Sequence, residues 1–270
     1  MVIRKKAFFV LFLISFSLAA SGCSFLKSKK TYDELNQIME SGNAAFRAKD
    51  YDKAIEFYDA GLRISPKELA FHNAKCTAMR MRAADLYNSS ARLTDVEAKN
   101  DGIDAAKKGL TEAAAVSTNA VAILKTRSDL ETLFLDRSEF MKTLTLETHA
   151  ESMRLLATVV DRTRADEALA AMHEYIDNEP DPKKKLKAQL SAGKMLIDSL
   201  NGQKAFTEYK KILDDDPNNL DAMLGAGMAL SQSGQKEDLR EAKILLQRFV
   251  EKAPPDHPSM STVNEILGAI

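Results

Sequence analysis

Apolar residues recur at three- and four-residue intervals through most segments of the chain, the spacing that gathers side chains on one helix face. Leu35, Ile38, Met39, Ala45 and Phe46 form one such stripe, and Tyr51, Ala54, Ile55, Tyr58 and Leu62 form the next. Lys49 and Asp50 interrupt the pattern between them, so the two helices must double back on each other. Gly42 and Ala54 are small where such a hairpin is tightest, and a larger side chain there would force the helices apart at about 1–3 kcal/mol. Pro66 stops the second helix, and Ser65-Pro66-Lys67-Glu68 reads as the cap and first turn of a third.

The stripe then runs unbroken from Leu69 to at least Tyr87. Its partner is the Ala-rich segment over residues 100–125, where Ala113, Ser117, Ala120 and Val121 keep helical spacing; the turn falls within residues 89–102. Ser128-Asp129-Leu130-Glu131 looks like a capping box. It opens a long helix with Leu130, Leu133, Phe134, Met141, Leu144, Leu155, Leu156 and Val159 along one side, ending at residues 161–163. A shorter helix over residues 165–176 follows, and Asp181-Pro182 supplies a cap and first-turn proline for the next.

The opening pattern now returns. Gly193, Ala205, Tyr209, Ile212, Leu213 and Pro217 repeat the first hairpin, with the Gly193–Pro217 spacing equal to that of Gly42–Pro66. Gly227, Leu230, Gly234, Ala242, Leu246, Phe249, Val250 and Pro254 form a further copy, with a small insertion at residues 237–239 expected in the turn. A last helix, capped by Thr262, carries Val263, Ile266, Leu267 and Ile270, enough apolar surface to lid an open end.

This rhythm of glycine, alanine, large apolar residue and proline resembles the tetratricopeptide repeat (TPR), whose period is about 34 residues. Gly61 stands where the family usually has alanine, and the early tryptophan of its consensus is absent. The resemblance implies an all-α fold, a right-handed superhelical stack of antiparallel helix pairs. This TPR-like α-solenoid would have an elongated-helix middle region and a C-terminal capping helix. Residues 31–180 are expected to hold the N-terminal repeat and the elongated region, and residues 181–270 the C-terminal repeat pair with its cap.

Composition changes the picture only at the N-terminus. The 270 residues carry 38 basic and 39 acidic side chains, so no basic excess marks a nucleic-acid footprint. Arg4, Lys5 and Lys6 precede an apolar run over residues 7–20, too short for a membrane span of about 20 residues and fitting a signal segment over residues 1–22. Ala20-Ser21-Gly22-Cys23 resembles the bacterial lipobox, with Ala20 in place of the commoner leucine. By that resemblance Cys23 is lipidated with a diacylglyceryl group and usually an acyl chain, and residues 23–30 are a tether. Ser24 is not the aspartate that retains many lipoproteins at the inner membrane, which implies the periplasmic face of the outer membrane. The remaining cysteine, Cys76, reads as a buried small residue.

No spacing for chemistry is found. His72, His149, His173 and His257 lack zinc-ligand spacing, so no metal or cofactor is expected. Gly225-Ala226-Gly227 lacks the third glycine and preceding strand of a dinucleotide loop, and no nucleophile elbow appears. Lys183-Lys184-Lys185 reads as a solvated first turn, with a membrane-surface contact as the alternative. What remains is surface. In the TPR family the first helix of each hairpin lines the concave face. Carried over, the groove comprises Asn36, Met39, Asn43, Phe46 and Arg47 in the first copy, and Lys187, Leu190, Lys194, Asp198, Leu224, Met228 and Gln232 later. Asn43 matches an asparagine the family often uses to hold a peptide backbone or carboxylate, and Phe46 and Met39 are the first candidates for anchors.

The expected function is a non-enzymatic, lipid-anchored envelope scaffold or adaptor that binds another envelope protein or a peptide segment of it. The alternative is an accessory lipoprotein of a periplasmic solute-uptake system, with a cavity lined by Phe134, Met141 and Leu155. A third possibility is an enzyme whose site is assembled from scattered residues, which would need a cleft of clustered ionisable groups.

Overall fold

The computed structural model describes residues 31–126 and 138–270. The signal segment, Cys23, the tether, the 128–131 cap and Leu130, Leu133 and Phe134 lie outside the described residues. Among the described residues there are eleven α-helices and no strand. They are α1 (residues 31–47), α2 (Tyr51–Ile64), α3 (Leu69–Ser90), α4 (Val96–Thr126), α5 (Ser138–Leu155), α6 (Ala165–Asn178), α7 (Pro182–Asp198), α8 (Gly202–Asp215), α9 (Leu220–Ser231), α10 (Lys236–Lys252) and α11 (Met260–Ala269).

From α2 onward each helix packs on its chain neighbours, and α3 also meets α5 while α7 meets α9. The odd-numbered helices therefore form one layer and the even-numbered ones a second, the arrangement of stacked antiparallel pairs. Glycine sets the spacing within the first pair, α1 with α2, and the fourth, α7 with α8. A Cβ on Gly42 would come within 2.5 Å of the Tyr58 ring, and one on Gly193 within 2.6 Å of the Tyr209 ring. Each tyrosine thus fills the space its glycine leaves. The largest apolar cluster runs from Ala114 and Val121 through Met153, Met172, Met195 and Tyr209 to Leu245, continuous past residue 180. Val263 of α11 is fully buried against Met223, Leu246 and Phe249, with Ile266 and Leu267 packed beside it, so the last helix does lid the array.

The elongated pair is α3 with α4, and its turn lies at residues 91–95, inside the interval expected. Four local expectations differ. Pro66 sits in a turn closed by the Glu68 amide donating to the Ser65 carbonyl, and α3 begins only at Leu69. Residues 237–239 lengthen the start of α10 instead of the turn, because Gly234, at φ +68°, already closes that turn without them. Thr262 lies inside α11, which starts at Met260 behind Ser259.

The fourth difference is the buried face of α5. Leu144, Leu155 and Val159 are only partly buried, while Thr145, Thr148 and Ser152 are fully buried. The Thr145 hydroxyl donates to the Met141 carbonyl at 2.7 Å and that of Ser152 to the Thr148 carbonyl at 2.7 Å. With their hydroxyls bonded to their own helix, these side chains enter the core at little cost. Cys76 on α3 shares this seam, its thiol 3.3 Å from the Ala113 carbonyl and 3.1 Å from Ser152 Oγ. The helix then widens into a π-turn, Leu156–Val160, closed by the Asp161 amide donating to the Leu156 carbonyl.

Candidate functional site: a trench on the inner helices

The inner layer presents stripes at intervals of three and four residues. On α1 these are Met39, Asn43 and Phe46; on α3, Ala70, Asn73, Thr77 and Arg80; on α5, Met141, Leu144, Thr148 and Glu151. At helical spacing each stripe faces one way, and the three stand side by side. Between them lies a pocket of about 330 Å³, lined by Met39, Asn43, Phe46, Tyr58, Asn73, Met141 and Leu144 among others.

Its walls are mostly apolar, with two oriented amides. The Tyr58 hydroxyl donates to Asn43 Oδ1 at 2.9 Å, which leaves the Asn43 NH2 as the free donor. The side-chain amide of Asn73 donates to Thr145 Oγ1 at 2.9 Å, and Asn73 Oδ1 has no partner. Phe46 is braced by an edge-to-face contact with Tyr51, ring centroids 5.6 Å apart. Burial raises the Tyr58 phenol above its ordinary pKa, so it stays a neutral donor across the physiological range.

Thr77, Leu144 and Thr148 are shared with a second cavity of about 590 Å³ that continues from α3 and α5 to α7. This one carries charge: Arg80, Glu147, Glu151, Arg154, Lys184 and Lys187 line it beside apolar residues such as Met172 and Ala188. Glu151 and Arg154 form a bidentate pair at 2.6 and 2.8 Å. Burial pushes the Glu151 carboxyl up, but the Arg154 hydrogen bonds, with Arg80 and Lys187 nearby, bring it below the usual carboxylate range. The two cavities together make one trench, apolar at the α1 end and charged toward α7.

Of the residues assigned from sequence, Met39, Asn43 and Phe46 line the apolar pocket, and Lys187 lines the charged cavity. Asn36 and Arg47 lie on α1 outside the trench lining, Arg47 exposed. Leu190 packs against the main core, and Lys194 pairs with Asp198 at 3.2 Å on the surface of α7. Leu224 packs in the C-terminal cluster, Met228 is half-buried, and Gln232 lines a separate cleft with Leu200 and Asn201. Lys183 is exposed, as expected of a first turn, but its neighbour Lys184 reaches the trench. Sequence reasoning missed Asn73, Thr77, Arg80, Thr148 and Arg154. The signal was the three-and-four spacing of α3 and α5, which matches that of α1.

Among the described residues no three His, Cys, Asp or Glu side chains gather as a metal site, and no helix is long and apolar enough to cross a membrane. No protein-family model and no curated protein matches the sequence. Solved structures do match. The chain is similar to YrrB, a TPR protein with an unusual peptide-binding site, at 14% identity and TM-score 0.50, over 84% of this chain and 90% of that one. It is also similar to the P58(IPK) TPR domain, at 16% identity and TM-score 0.37, over 88% of this chain and 64% of that one. A third is the TPR2AB domain of yeast Sti1 in complex with pHSP90, at 15% identity and TM-score 0.33, over 87% and 98%. With the layer arrangement above, the first of these likenesses identifies the fold as an all-α, TPR-like solenoid.

Proposed function

We propose that this chain is a non-catalytic scaffold or adaptor of the bacterial cell envelope, fixed to the membrane through lipidated Cys23, that holds a peptide segment of another envelope protein in its trench. The observation that carries the reading is the apolar pocket and its two oriented amides. Asn43 offers a donor and Asn73 holds an acceptor without a partner, the two kinds of group a peptide backbone pairs with, among the apolar surfaces of Met39, Phe46 and Met141. YrrB, to which the chain is similar, is itself described as a TPR protein with an unusual peptide-binding site. An outer-membrane address follows from Ser24 by resemblance only.

The test is capture from gently solubilised membranes with the full chain and with Asn43→Ala. A partner held by the wild type and reduced about tenfold by the variant is the expected result, since one lost hydrogen bond to a bound peptide is worth roughly that factor. No partner, or equal recovery with both proteins, would overturn the reading.

The solute-pocket alternative draws on volume. About 330 Å³ lies at the lower end of small-molecule sites, roughly 300–1,000 Å³, and Met141 lines it. Leu155 does not line it, and the pocket shares three walls with the charged cavity, so a peptide crossing both fits the shape better than an enclosed solute.

A further inference from the structure

The charged end of the trench holds more positive charge than the chain itself neutralises. Four cations line it, Arg80 from α3, Arg154 from α5, and Lys184 and Lys187 from α7, against Glu147 and Glu151. Arg154 is taken up by Glu151. Lys184, Lys187 and Glu147 have no ion-pair partner among the described residues. Arg80 is the most telling. Its Nε and Nη1 are shielded from solvent and have no acceptor. Guanidinium N–H groups withdrawn from water without an acceptor are destabilising in the folded state, and an acceptor brought by a ligand would relieve that cost.

We propose that this end of the trench seats an acidic stretch of the bound peptide, whose side-chain carboxylates supply the acceptors Arg80 lacks while a large apolar residue of the same peptide fills the adjoining pocket. The inference rests on the peptide-scaffold reading. Guanidinium and carboxylate match in geometry as well as charge, so Arg80 favours a carboxylate over a neutral acceptor once its plane turns toward the ligand. The cations come from three successive inner helices and are spread along the wall, which suits several acidic side chains along a segment better than one terminal carboxylate. The shared walls at Thr77, Leu144 and Thr148 make the two subsites continuous for one extended chain.

The test probes the full chain, held in detergent, on an array of short random peptides, each made with a free and with an amidated C-terminus. Expected are binders of either terminus that combine a large apolar residue with Asp or Glu a few positions away. Arg80→Met keeps the side-chain stem and removes the cation. It should lose the acidic preference, weaken the best acidic peptide on the order of tenfold, and keep the apolar preference. Arg80→Lys should recover part of the loss. Wild-type binders with apolar but no acidic preference would overturn this inference and leave the scaffold reading standing, whereas no binders at all would overturn both. Binding only to free C-termini, or an acidic preference unchanged in Arg80→Met, would also overturn it. If Arg80→Met melts early by circular dichroism, the exposed pair Lys184→Gln and Lys187→Gln replaces it, with a smaller loss and a weaker salt dependence expected, and no change in either counting against the proposal.

Discussion

Tyr58 reaches from α2 across the glycine gap at Gly42 to donate its hydroxyl to Asn43 Oδ1 at 2.9 Å. One side chain therefore closes the first helix pair and sets the orientation of the amide that faces the trench. Tyr58→Phe separates these roles, since the ring stays and only the hydrogen bond goes. The expected cost is about 0.5–1.5 kcal/mol in urea unfolding, the net worth of one such bond. Peptide affinity should also fall, because Asn43 loses the partner that fixes which end of its amide points outward. Unchanged stability and unchanged affinity together would show that Asn43 is oriented by something else.

Tyr209 is held more tightly than Tyr58. Its ring lies between Gly193 of α7 and Gly225 of α9, where added Cβ atoms would come within 2.6 and 2.2 Å of ring carbons. Gly225→Ala gains about 0.5–1 kcal/mol of helix propensity. That gain is outweighed by overpacking, about 1–3 kcal/mol or more, because the ring has Gly193 behind it and cannot retreat. Net destabilisation is expected, and combining the change with Tyr209→Leu should cost less than the sum of the two single changes. Strict additivity in that double-mutant cycle would mean the clash is relieved elsewhere.

Gly42 was readable as a tight point and Gly193 as its repeat because a glycine inside a helix stripe is itself the signal, whereas the tyrosines that fill those gaps, and the contact of Gly225 with Tyr209, were not. Asn43, Met39 and Phe46 were readable for the same reason, since the first hairpin fits the repeat closely. The charged half of the trench was not. Asn73, Arg80 and Arg154 belong to helices without the glycine rhythm, and their position depends on how α3, α5 and α7 stack. Apolar character also misleads on α5, where Leu155 is only partly buried while Thr145 and Ser152 are fully enclosed. Hydroxyls that bond to their own backbone behave as core residues, a property that hydrophobic patterning does not register.

The turn between α7 and α8 places Leu200 at φ +62°, with the residue 69% exposed. Its amide bonds to the Ile197 carbonyl at 2.9 Å and the Asn201 amide to the Leu196 carbonyl at 2.8 Å, the paired closure of a helix C-terminus. Lys49 repeats the geometry at φ +61° after α1, while Gly234 occupies the corresponding turn after α9 at φ +68°. The left-handed conformation costs an L-residue about 1–2 kcal/mol, more than the added unfolded-state entropy of glycine, and the exposed side chain contributes little packing. Leu200→Gly is therefore expected to raise stability by about 0.5–1 kcal/mol. A lower unfolding midpoint would reveal a packing role for Leu200 that its exposure hides.

Burial holds the His149 imidazole below its ordinary pKa, with Glu174 and Glu167 opposing and Lys125 reinforcing, and Ser117 Oγ lies 3.1 Å from Nδ1. His72 shifts the same way, chiefly by burial. Because the folded pKa is the lower one, the unfolded chain takes up protons first as pH falls below 6.5. The stability these groups contribute is full above that value and lost as pH falls through the folded value. His149→Gln should flatten the stability profile as pH falls below about 6.5, with the His72 contribution remaining. Glu208 acts lower. Burial raises its pKa, but hydrogen bonds from Lys211 and His173 bring it below the ordinary 4.5, so its contribution disappears only as pH drops through that lower value. A profile equally steep in wild type and His149→Gln would remove His149 as a source.

The scaffold reading also depends on the membrane end of the chain. A single acyl chain binds a bilayer only marginally, with an association constant of about 10⁴ M⁻¹, whereas two or more chains hold a protein stably. A lipidated Cys23 would carry at least two, and Ser24 through Lys30 would then be a short tether between bilayer and solenoid. Cys23→Ala should therefore lose labelling by a clickable fatty acid and move the chain from the membrane to the soluble fraction. Cys76 supplies an internal control, since its thiol is fully buried and raised in pKa by burial, so it should take no label in the folded protein. Acyl label persisting in Cys23→Ala would overturn the anchor, and with it the argument that the trench is presented at a membrane surface.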